Sequence, residues 1–209
     1  MYLYRMKSIA VLVLLAALLA ACAGHRPSDP SSKDPLPGSD SPTTAFFPVA
    51  DYLESSILGI DSMPIALKKW VIRNHRRDSS FISVPEFNAL ALRFLPPEIR
   101  DKNLQKNFTE SSFSDKTTQA VTFTYSPIDK ELPLQRVDVV TAPGLNAQQV
   151  KSIYLERNRK AGDSVILEKL FWETGKSFQI ITMVRIRNAS PLEERVKVVW
   201  GNDDAGEGQ

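Results

Sequence analysis

Cys22, His25 and His75 are all the thiol and imidazole chemistry that this chain carries. His25 falls in a proline-rich stretch, so His75 is the single histidine in the part able to build a core. A serine or cysteine nucleophile activated by a histidine base would have to use it, and it sits in a polar turn with no partner at a telling spacing. A zinc site wants about four Cys or His ligands, and the folding part offers one. No D-x-[DN]-x-[DN]-G run marks a calcium loop, and Asn202-Asp203-Asp204-Ala205-Gly206-Glu207 lacks that spacing. Gly175-Lys176-Ser177 imitates the end of a phosphate-binding loop. The opening glycine would fall at Leu170, however, and the context is strand-turn-strand, so it is a turn. The site residues expected are therefore neither catalytic nor metal-binding, and no cofactor is expected. Paired carboxylates remain the one enzymatic alternative, since two of the 24 acids can meet in space without a sequence signature.

Two basic clusters stand out as candidate contacts for a partner or for anionic headgroups: Arg73, His75, Arg76 and Arg77 at the tip of a first hairpin, and Arg157, Arg159 and Lys160 in a turn after Leu155. General electrostatics does not extend this to nucleic acid. The sequence pI of about 8.6 depends on Arg5 and Lys7; from Cys22 onward, basic and acidic side chains are equal at 24 each.

The position of the thiol is more telling. Residues 1–7, MYLYRMK, form a basic n-region, and Ile9 to Ala20 is an almost unbroken aliphatic run, which together have the anatomy of an export signal. The run is shorter than the ~20 apolar residues that span a hydrocarbon core. Leu19-Ala20-Ala21-Cys22 resembles the lipobox of bacterial lipoproteins. The resemblance implies that Cys22 becomes the mature N-terminus, with a diacylglyceryl group on its sulfur and an acyl chain of the palmitate kind on its amine. Cys22 also has no intramolecular disulfide partner, and acylation would remove an exposed lone thiol. At ~0.8 kcal/mol per buried CH₂, two or three acyl chains hold stably where one does not. Ala23, in place of an aspartate after the cysteine, implies by the same resemblance the outer membrane, with the periplasmic or surface face left open.

These groups need elements to position them. Residues 22–45 hold Pro27, Pro30, Pro35, Pro37 and Pro42 and one aliphatic, Leu36, so they read as a lipidated tether with a root-mean-square reach of roughly 25–30 Å. Residues 46–200 read as one domain, and 201–209 as a polar tail. Val49, Leu53, Ile57 and Ile60 share a helical face. Glu86 to Leu95 predicts a second helix, capped by Ser83 and stopped by Pro96-Pro97, and Glu98 to Phe108 allows a third. Ile65 to Arg73 reads either as helix or as strand. Trp70-Val71-Ile72 favours a strand that turns at Asn74 to Asp78 and returns over Ser79 to Ser83. Alternation over 121–125, 136–139 and 152–156, a hairpin of 164–173 with 177–187, and a closing strand 195–200 complete the pattern. The expected fold class is α+β, with N-terminal helices and a short hairpin packed on one face of a five- to six-stranded antiparallel meander.

The order Phe46-Phe47-Pro48-Val49, Ala120 to Tyr125, Val137 to Val140, Val150 to Tyr154 and Val196 to Trp200 resembles a group of uncharacterised envelope lipoproteins of diderm bacteria. The hairpin Arg136 to Arg157, with its Pro143-Gly144-Leu145-Asn146 loop, is more faintly similar to PepSY-like and β-lactamase-inhibitor-like modules, which implies an inhibitory role. The functional expectation is a non-enzymatic binding or envelope accessory module. It is held to the membrane through acyl chains on Cys22 and meets an envelope protein or glycan, with an envelope enzyme using paired carboxylates as the alternative.

Overall fold

The computed structural model describes residues 46–101, 106–143, 148–187 and 189–200. The export segment, Cys22, the tether, Gly144 to Asn146 and the polar tail lie outside the described residues.

The first helix, α1 (Val49–Asp61), buries the stripe Val49, Leu53, Ile57 and Ile60. A hairpin follows, β1 (Leu67–Arg73) and β2 (Arg76–Ile82). Its connection is shorter than expected, since Arg76 to Asp78 already belong to the strand and only Asn74 and His75 turn. Both have positive φ, 50° and 62°, as a tight two-residue hairpin turn demands. Helix α2 (Val84–Ala91) is capped by the Ser83 hydroxyl, which accepts from the Glu86 amide. The regular helix ends at Ala91, and a 3₁₀ turn, Leu92–Phe94, carries the chain to Pro96.

Helix α3 spans only Pro97–Arg100; of the expected continuation, residues 102–105 lie outside the described residues, and Phe108 already belongs to a strand. The remaining elements are β3 (Phe108–Asp115), β4 (Ala120–Pro127), β5 (Leu134–Pro143), β6 (Gln148–Ala161), β7 (Ser164–Glu173), β8 (Ser177–Ile186) and β9 (Leu192–Trp200). All nine join one antiparallel sheet in the order β2-β1-β9-β8-β7-β6-β5-β4-β3.

This corrects the α+β expectation: the protein is mainly antiparallel sheet, wider than a five- to six-stranded meander. Two events widen it. The N-terminal hairpin does not lie on a sheet face; β1 pairs with β9 from Leu67↔Trp200 to Arg73↔Glu194 and extends one edge. At the other edge β3, Phe-Thr-Glu-Ser-Ser-Phe-Ser-Asp, lacks apolar alternation, yet it pairs with β4 along its whole length. Backbone pairing decides that strand where side-chain pattern is silent.

The helices pack on one face of the sheet, where rings form the seam of the core. Trp172 and Phe178 are direct cross-strand partners, and their rings lie 5.6 Å apart. Phe94 comes within 5.4 Å of Trp172 and 5.3 Å of Phe178. Phe87 lies 5.5 Å from Phe178 and stands edge-on to Trp200 at 5.6 Å. Near the β3 edge, Phe46 lies 3.9 Å from the Tyr125 ring, and the Phe47 amide donates to the Tyr125 hydroxyl at 3.0 Å.

Trp172→Ala should lower stability by about 3–5 kcal/mol, read as a shift in urea midpoint. The turn makes a prediction of the opposite sign: His75→Gly removes a side chain from a left-handed position and should stabilise by about 0.5–1 kcal/mol. A loss there would show that the imidazole makes a contact worth more than the backbone strain. At alkaline pH, burial holds the Tyr125 phenol neutral up to about 12, and burial with the neighbouring Glu156 carboxylate does the same for Tyr154. An unfolded tyrosine ionises near 10, so between about pH 10 and 12 the unfolded chain binds fewer protons than the folded one. Stability should therefore fall through that window, with phenolate absorbance rising together with loss of sheet signal.

Candidate functional surfaces

The deepest charge in the fold is Glu168 on β7, 3% exposed. It lies on the helix-covered face, in a row that register sets across five strands: Arg157↔Glu168, Glu168↔Thr182, Thr182↔Glu194 and Glu194↔Arg73. The 3₁₀ turn supplies a further cation. The Arg93 guanidinium donates to Glu168 Oε1 at 2.5 Å and to Thr182 Oγ1 at 2.8 Å. Arg157 donates to Oε2 at 3.4 Å, and Arg159 stands 3.9 Å from Oε1. Further along, Arg73 is ion-paired with Glu194. A polar seam thus closes the aromatic core at one end.

The Arg157 cluster is not a turn. Arg157, Arg159 and Lys160 belong to β6, which runs on to Ala161. Arg157 and Arg159 point to the seam, whereas Lys160 reaches Glu131 at 3.3 Å between two exposed side chains. In the other cluster Arg73 is tied into the seam, His75 occupies the turn, and Arg76 and Arg77 open β2 on opposite faces. The structure brings both clusters to the same end of the sheet. Four strand spacings separate β1 from β6, about 19 Å at ~4.8 Å per strand.

Two shallow cavities flank this end. One, of about 460 Å³, lies on the helix-side face of the hairpin and is lined by Lys69, Arg73, Arg76, Asp78 and Ser80, among others. The other, about 450 Å³, lies between residues 130–135 and the end of β6, with Lys130, Glu131, Arg159 and Lys160 in its wall. Each presents a single carboxylate among cations, Asp78 in the first and Glu131 in the second. Among the described residues no group of three His, Cys, Asp or Glu gathers as a metal cage.

The sheet's other face is open to solvent. There Trp70 is sandwiched between cations, with Lys68 Nζ 4.7 Å from its ring centroid and the Arg77 guanidinium carbon at 4.0 Å. Such stacking contributes about 0.5–1 kcal/mol at an exposed site. Phe81 is 72% exposed beside it. Trp70 is on the opposite face from the buried Trp172 and Trp200.

Reading along the chain missed the Arg93–Glu168 contact, which spans 75 residues and leaves no local pattern. It also missed Arg185 and Arg187, isolated in sequence but carried to the basic end by β8. No helix among the described residues is long and apolar enough to cross a membrane. No family model, curated protein or solved structure matches the chain.

Glu168→Ala would leave three arginines around a largely buried space with no counter-charge. It should cost about 3–5 kcal/mol in denaturant unfolding. A loss under 1 kcal/mol would mean that the arginines find water or other acceptors and that the seam is not a structural boundary.

Proposed function

We propose that the protein is an outer-membrane lipoprotein, anchored through acyl chains on Cys22 and acting as a non-enzymatic binding or accessory module for an envelope protein or glycan. The anchor rests on the export segment and on Leu19-Ala20-Ala21-Cys22. The binding reading rests on one observation. The helix-covered face of the sheet is filled with aromatic side chains, while the opposite face offers Trp70, cradled by Lys68 and Arg77, and the exposed Phe81. Rigid aromatic area ringed by cations is the chemistry of a recognition patch. A buried, water-excluding pocket, which an enzyme would use to hold a reacting group, has no counterpart in the two shallow basic cavities.

The two parts of the proposal are tested separately. Cys22→Ala should release the protein from the membrane fraction or leave an unprocessed precursor, and unchanged fractionation with normal processing would sink the anchor. A photoreactive residue at position 81 should capture a partner in native envelopes, and Trp70→Ala should reduce the yield at least several-fold without changing the fold. Capture indifferent to Trp70 would remove the open face from the account.

A further inference from the structure

At the end of the sheet below the Glu168 seam, exposed aliphatic and basic side chains interleave. Val165 is 39% exposed, Ile186 40% and Leu192 53%. They sit on β7, β8 and β9 beside the turns that join β6 to β7 and β8 to β9. Register places Ile186 opposite Ser164 and Leu192 opposite Val184 on the helix-covered face and Val165 opposite Arg185 on the other, so aliphatic side chains flank the strand ends from both faces. Arg76, Arg185 and Arg187 are exposed at the same end, and none has an ion pair among the described residues. Their neighbours Arg73 and Arg157 spend their charge on Glu194 and Glu168. These arginines share the end with Asp78, which lines the hairpin cavity with Arg76, and with Asp163 in the β6–β7 turn, so cations are in excess there on a chain that is neutral overall from Cys22 onward.

We propose that this end of the sheet docks on an anionic lipid bilayer, with Arg76, Arg185 and Arg187 meeting headgroup phosphates and Leu192, Ile186 and Val165 entering the interface. Charge complementarity selects the occupant: arginine forks match phosphate oxygens, and each basic side chain near an anionic surface adds to binding. Aliphatic side chains between the cations supply the shallow burial that headgroup attraction alone does not. A second copy of the chain would bring the same cations against themselves. The docking deepens the anchored reading, because the tether already holds the domain within a few tens of ångströms of lipid. With the basic end down, the Trp70 face stands sideways and remains accessible.

The test uses the mature acylated protein reconstituted in phosphatidylcholine vesicles with or without phosphatidylglycerol, all carrying a chain-brominated lipid. A fluorophore is attached at Leu192→Cys or, as the control at the opposite end of the sheet, at Lys116→Cys. Quenching at 192 should appear with phosphatidylglycerol, weaken in high salt, and be absent at 116. Arg185→Gln with Arg187→Gln should reduce the docked-to-undocked ratio by roughly 30-fold. Equal quenching in neutral and anionic vesicles would overturn the proposal. So would quenching at 192 that follows protein density instead of anionic lipid, which would assign the surface to a second copy. Failure of the anchor would register separately: an unacylated Cys22 would take up a second fluorophore and leave the protein free of neutral vesicles.

Discussion

Five rings clamp the helical layer to the sheet, and the rest of the fold is arranged around that contact. Trp172, Phe178 and Trp200 come from three adjacent strands, and Phe87 and Phe94 reach down from α2 and the 3₁₀ turn. The helices are short, and 13, 8 and 4 residues would not hold their shape alone. Their geometry is borrowed from the sheet through these rings. The clamp also explains why the helix-covered face contains a packed core: the aromatic side chains meet directly at 5.3–5.6 Å.

The Glu168 seam marks where the clamp stops. Above it the strands present Leu155, Leu170 and Ile180 to the helices; below it the same strands carry arginines and exposed aliphatics. A buried carboxylate held by Arg93 and Arg157 contributes little net stability compared with an apolar replacement. It does fix one register of β6, β7 and β8 and the position of the 3₁₀ turn above them, because a slip by one residue would put Glu168 on the open face and strand the arginines. The seam thus separates the ring-packed part of the sheet from the strand ends that carry exposed arginines and aliphatics.

Much of this was legible where local chemistry was strong. The stripe Val49, Leu53, Ile57 and Ile60 placed α1, Ser83 placed the start of α2, and Thr174-Gly175-Lys176 placed the β7–β8 turn, with Gly175 at positive φ. Sheet width was not legible. β3 is held by pairing with β4 and has no apolar rhythm of its own, and nothing local to Trp70-Val71-Ile72 says that its partner is Arg195 to Trp200, more than 120 residues away. The same limit applied to surfaces. The cations around positions 73–77 and 157–160 were visible as clusters, but only the strand order brings them to one end and adds Arg185 and Arg187 between them. The role of Arg157 within the seam follows from register across β6 and β7, which composition does not encode.

The account turns on one claim, that the sheet has a filled face and an open face, and the three tryptophans are distributed to test it. Trp172 and Trp200 lie within the clamp, whereas Trp70 is on the opposite face between Lys68 and Arg77. Site-resolved indole oxidation of the native protein, quantified by mass spectrometry, should modify Trp70 and spare Trp172 and Trp200 until the chain unfolds. Oxidation of Trp172 or Trp200 at the rate of Trp70, with the fold intact, would contradict the account.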